Sequence, residues 1–169
     1  SYATPFLKAS TTYKISGWGG GWEWPTPVLR AEVTVVVLSP ADFKISSSKN
    51  SLTATIVDGL SANSNSAVLT ITNTSNPARS INVTLGTTLA SGISGTPIFS
   101  YGGTDYSNSA VISLTAGELK NVSFKVKSIP GSTNSGNYNI TVNSSSGVSQ
   151  KTTPITLKVE KVTTDWKEF

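Results

Sequence analysis

Five asparagines stand in the Asn-x-Ser/Thr arrangement that accepts an N-linked glycan: Asn73, Asn82, Asn121, Asn139 and Asn143. The chemistry is attachment of a sugar to the side-chain amide, and it requires the asparagine and the hydroxyl two residues on to share an accessible surface. The chain has 50 Ser or Thr and 12 Asn among 169 residues, and chance alone then gives roughly three or four such triplets. Position therefore says more than number. At Asn82, Asn121 and Asn139 the middle residue is Val or Ile. Strand alternation turns that residue inward and sends the asparagine and its hydroxyl partner to solvent together. Glycans are expected on these triplets, as the modification the chain carries in place of any cofactor.

Trp18, Trp22 and Trp24 lie in a Gly-rich stretch, with Tyr13 and Ile15 just before it and Phe6 further upstream. Flat aromatic rings suit sugar stacking, but they are equally enriched where subunits meet. A Gly-rich backbone is poorly preorganised for a small ligand, which favours the contact reading.

Other chemistries are excluded by composition. The chain has no Cys, His or Met, so zinc sites, thiol nucleophiles and a Ser-His-Asp triad cannot be built. Its nine Asp and Glu residues show no paired spacing that implies a shared cleft and no alternate-position pattern of a calcium loop. The expectation is a protein that is not an enzyme and binds no metal. A Lys amine can condense with an Asn amide beside a buried acid, but the sequence points to no pair. The net charge of +4 comes from scattered residues, without the basic cluster that nucleic-acid binding needs. No run approaches the ~18 apolar residues of a membrane span and no apolar signal region opens the chain, so any signal peptide is expected to have been removed already.

The elements that must hold these residues are strands. Val, Ile and Thr are plentiful, while 14 Gly and 8 Pro are spread along the chain, the mix of an all-β protein with many turns. From about residue 41 onward, apolar residues alternate with polar ones: Ala67, Leu69 and Ile71; Ile81, Val83 and Leu85; Ala110, Ile112 and Leu114; Val122, Phe124 and Val126; Tyr138, Ile140 and Val142; Ile155, Leu157 and Val159. With segments 43–46 and 52–57 this predicts an immunoglobulin-like β-sandwich of about seven strands. Residues 91–109 read as a long connection carrying an edge strand.

The first forty residues differ. One reading makes residues 31–38 the first strand of the sandwich, which places a tail at 1–27 and a head at 28–169. The Gly/Trp segment is then a hinge.

The stretches 69–74, 114–126 and 135–142 resemble the recurring strands of the seven-stranded Ig-like domains of microbial surface proteins, the cell-adhesion-related and NEW-type families. The whole arrangement of Ig-like head, aromatic tail, Gly hinge, outward sequons and absent Cys is similar to the archaeal thread-type pilins, which resemble bacterial type I pilins. That resemblance implies a subunit of a glycosylated, extracellular cell-surface filament. Its partner is itself, head to tail, through a donor strand inserted into the neighbouring sheet, and the filament in turn meets surfaces or other cells. The donor is either residues 2–16, with Phe6, Tyr13 and Ile15 filling the groove, or the more apolar 33–38. A second reading, from another class, is a surface adhesion or carbohydrate-binding module of a larger S-layer or glycosidase protein.

Overall fold

The computed structural model describes residues 11–19, 28–37, 41–76 and 78–164. They form twelve strands, with no helix among them. The chain divides into two compact units, Ser1–Pro40 and Ala41–Phe169. In the first, β1 (Thr11–Gly19) and β2 (Val28–Val37) pair antiparallel as a two-stranded sheet, with a register shift between Gly17 and Trp18. β2, which covers most of the strand expected at 31–38, pairs with β1 within the first unit, and the division between the units lies at 40/41 and not at the 27/28 expected from the sequence. The physical reason lies in sequence distance: the Val-rich run pairs with a β-forming segment that lies close to it along the chain, which costs little closure entropy.

The second unit is two five-stranded sheets. The first sheet runs in the order β3 (Phe43–Ser47), β5 (Ala67–Asn73), β10 (Leu119–Lys127), β7 (Thr96–Tyr101) and β8 (Thr104–Ser107). The second runs β4 (Ser51–Val57), β12 (Ser149–Val162), β11 (Gly136–Ser146), β6 (Ile81–Leu89) and β9 (Ala110–Leu114). The sandwich thus has ten strands where about seven are expected. Segment 91–109, expected as a connection carrying one edge strand, holds a pair, β7–β8. Pro97 within β7 weakens its strand signal, and Thr-Asp-Tyr-Ser in β8 has no apolar alternation.

The expected alternation is realised as burial at each apolar position named from the sequence except Tyr138, which is half-buried. Leu69, Ile71, Val122, Phe124 and Val126 of the first sheet meet Val83, Leu85, Ile112, Ile140, Val142 and Leu157 of the second in one fully buried core. Phe99 and Phe124 stack tilted, with ring centroids 5.1 Å apart, a geometry aromatic pairs favour. The last strand, β12, has 14 residues, about 46 Å at strand rise, and links two poles. Asp42, the hairpin turn before Ser149 and the turn at 115–118 lie at one pole. Thr164 lies at the other, where its N–H donates to Asp58 Oδ1 at 2.8 Å and its hydroxyl bonds Oδ2. The head therefore starts at one pole and its last strand ends at the opposite one.

Candidate functional site

The site begins where the first strand of the head changes sheets. β3 pairs antiparallel with β5 from Phe43↔Asn73 to Ser47↔Leu69. The small polar residues 48–50 then cross between sheets: Ser48 N donates to Val68 O at 2.8 Å and Thr156 N donates to Asn50 O at 2.9 Å. From there β4 runs parallel to β12, from Ser51↔Thr156 to Val57↔Val162. β12, however, begins seven residues before its first pair with β4, at Ser149. Over that stretch its only described strand partner is β11, on the other side.

Strand alternation fixes which groups are left open. Because Thr156 N–H points to the β4 side, the backbone of residues 150, 152 and 154 faces that side too. The N–H groups of Gln150 and Thr152 and the carbonyls of Gln150, Thr152 and Pro154 form a row with no described backbone partner. Pro154 fits here without loss, because its missing N–H belongs to the open row and not to the β11 ladder. Beside the row is a concavity of about 750 Å³, bounded by Phe43, Lys44 and Ile45 on β3 and by Gln150, Lys151 and Thr152 on β12. Asp42 braces its polar end. Its Oδ1 accepts from Phe43 N at 2.9 Å, Ser149 Oγ at 3.1 Å and Lys151 Nζ at 3.2 Å. The Phe43 N–H first, then Lys151, hold the Asp42 carboxyl below its usual range.

The outer edges of β4, β9 and β8 are covered or blunted, as proteins do to prevent unwanted pairing. The outer edge of β4 is covered by residues 62–65, through Asn65 N to Thr53 O at 2.9 Å, Thr53 N to Asn65 Oδ1 at 2.9 Å and a bridge between Ala54 and Ser64. On β9, Lys120 Nζ caps the Ser113 carbonyl at 2.7 Å. β8 is four residues long, and its Asp105 is held by Lys127 at 2.8 Å. Sequence reasoning missed the open row because 149–154 lacks apolar alternation. The usable signal was Pro154 inside a strand, which marks an edge.

The sequons separate into two kinds. Asn82, Asn121, Asn139 and Asn143 are exposed. Asn82, Asn139 and Asn143 are on the second sheet, and Asn121 is on the first, where its Oδ1 accepts from Thr70 Oγ1 at 2.9 Å. Asn73 is only 2% exposed and its Nδ2 is engaged, donating to Arg79 O at 2.7 Å and Thr115 O at 2.8 Å. Its Oδ1 accepts from Ser75 N at 3.0 Å. The glycan expected at Asn73 is thus corrected to a structural role, because the nitrogen that would carry the sugar is buried and bonded.

Of the expected contact residues, Tyr13, Ile15 and Trp18 stand on β1, paired with Val35, Val33 and Leu29 of β2. Phe6, Trp22 and Trp24 lie outside the described residues. The two alternative donor segments, 2–16 and 33–38, thus overlap strands that pair with each other. Among residues 41–76 and 78–164 no Lys, Asp or Glu is buried. No described group of three His, Cys, Asp or Glu could hold a metal, and no described helix is long and apolar enough to cross a membrane.

No protein-family model matches the chain, and no curated protein sequence matches it. Solved structures do resemble it. A pilin subunit from enterotoxigenic Escherichia coli is 11% identical with a TM-score of 0.45, over 71% of this chain and 98% of the pilin. A FixG-related protein from Vibrio parahaemolyticus is 13% identical with a TM-score of 0.43, over 73% of this chain and 98% of that one. A family 123 glycoside hydrolase from Clostridium perfringens is 10% identical with a TM-score of 0.46; the match covers 72% of this chain and 28% of the hydrolase.

Proposed function

We propose that this chain is a non-enzymatic structural subunit of a glycosylated filament at the cell surface, polymerising when a strand from the N-terminal unit of one copy adds to the open row on β12 of the next. The observation that carries this reading is the row itself. It offers two donors and three acceptors beside a groove, in a sheet whose other edges are covered or blunted. Strand addition uses such groups for affinity and the groove for side-chain specificity. The partner is a second copy, because the chain supplies its own further β-formers: β1 and β2 make a separate two-stranded sheet. A contact between two different surfaces of one chain does not close on itself and so propagates. The exposed Asn82, Asn121, Asn139 and Asn143 carry the glycans in this reading, with no cofactor and no nucleic acid.

Negative-stain electron microscopy of the intact chain and of Thr152→Pro tests it. The substitution removes an N–H that belongs to the row and not to the β11 ladder, so the sandwich stays folded. Filaments from the intact chain and discrete particles from Thr152→Pro are the expected result. Filaments from both would remove the row from the joint, and discrete particles from the intact chain would end the filament reading.

A further inference from the structure

Asn143 differs from the other acceptor asparagines in what lies beside it. On β11 it stands opposite Thr152, the middle of the open row, and on its other side it stands opposite Gly86 of β6. Gly86 leaves a gap there, since even an added Cβ would meet nothing within 4 Å. The result is a depression of about 320 Å³ that extends from Gly86 past Asn143 and Ser145 to Gln150 and Thr152. Asn143 Nδ2 donates to Thr88 Oγ1 at 2.9 Å. An amide nitrogen has two hydrogens, so one is left to be replaced while the other keeps the side chain oriented. Asn139 also borders a depression, of about 390 Å³, together with Asn50, Pro154 and Thr156, but it stands opposite Thr156, whose far side is already filled by Ser51 of β4, so it faces the closed part of β12 and not the middle of the row. Asn82, on β6, is separated from β12 by β11.

We infer that a glycan on Asn143 seats its first sugar in this depression and roofs the joint formed when a strand adds to the row. This rests on the strand-addition reading above. An added strand would lie two strand spacings from Asn143, about 10 Å, within reach of a short glycan. The pairing bonds lie in the plane of the sheet and the sugar lies above it, so the glycan does not compete with them. It displaces water and shields the joint from proteases. In the modification, a bond forms between Asn143 Nδ2 and the anomeric carbon of a glycosyl donor activated as a phosphate ester. The bond from that carbon to the phosphate oxygen breaks, the phosphate leaves with the electron pair, and the amide proton passes to a base of the transferring enzyme.

Filaments of the glycosylated chain, of Asn143→Gln, of Asn139→Gln and of Gly86→Val are compared by peptide mass mapping and by the rate of dissociation in denaturant. A sugar mass on the Asn143 peptide is expected, with dissociation at least threefold faster for Asn143→Gln than for the unsubstituted chain or Asn139→Gln. Gly86→Val fills the depression without touching the triplet; it keeps the sugar and is expected to dissociate equally fast. A bare Asn143, or equal rates for Asn143→Gln and the unsubstituted chain, overturns the inference, and an unchanged rate for Gly86→Val overturns the seat. Absence of filaments from the unsubstituted chain overturns strand addition itself, a distinct outcome.

Discussion

The side-chain amide of Asn73 ties three segments at one pole: the end of β5, the carbonyl of Arg79 before β6, and the carbonyl of Thr115 after β9. Asn73→Ala leaves those carbonyls and the Ser75 N–H without this partner, and buried unpaired groups of this kind cost about 1–3 kcal/mol. Denaturant unfolding should show a loss of that size, while mass mapping of the native chain should find no sugar on Asn73. Carboxylates act at the same scale. Asp42, Asp58, Asp105 and Glu118 all have pKa values lowered in the folded chain: by the Phe43 N–H for Asp42, by Thr164 for Asp58, by Lys127 for Asp105 and by the Thr115 N–H for Glu118. A lowered folded pKa contributes stability that is present above the unfolded value, about 4, and is lost as pH falls through the folded value. The melting temperature should therefore be flat from neutral pH to about 5 and decline below about 4. Asp58→Asn should flatten part of that decline, and an identical decline in the variant would remove Asp58 from it.

Among the elements, close packing decides what is tolerated. Phe124→Ala empties space against Phe99 in the middle of the core and should cost about 3–5 kcal/mol. Gly131→Ala fails for the opposite reason: the added Cβ would sit 1.6 Å from Gly59 O, so the loop at 58–60 must move. Its free energy of unfolding should fall by as much as for a core overpacking, about 1–3 kcal/mol or more; an unchanged value in denaturant unfolding would mean the two loops are free to separate. The apolar strands were legible because burial on one face imposes period-two alternation, and residues such as Leu69, Val83 and Leu157 carry it. The two halves of the first strand were legible only as separate short segments, since nothing in Ser46-Ser47-Ser48-Lys49-Asn50 says that the chain changes sheets there. The long polar start of β12 was illegible for the same reason: with only Ser, Thr, Gln and Lys before Pro154, neither face announces itself. The buried role of Asn73 was hidden because its triplet is indistinguishable by composition from the exposed ones. What separates them is the Asn73 amide's position at the meeting of three turns, a tertiary fact.

For the whole molecule, the arrangement of the poles matters most. The head begins beside Asp42 at one pole and its last strand is fastened by Asp58 to Thr164 at the other. The first and last strands are neighbours and run parallel through β4 and β12, with seven residue pairs between them. Pulling on the head by its first and last described residues loads the two poles. Tension would then draw β4 toward one pole and β12 toward the other, sliding them past each other along their length. Hydrogen bonds across parallel strands are crosswise to that force and share it, so they must break together and not one after another. Single-molecule stretching of the head should therefore show one abrupt rupture, governed by the unfolding rate, and Ala54→Pro in β4 should lower its force. The change of sheet at residues 48–50, which leaves the first half of β12 without a partner on that side, also pairs its second half with β4, so a pull between the ends of the head falls on that ladder.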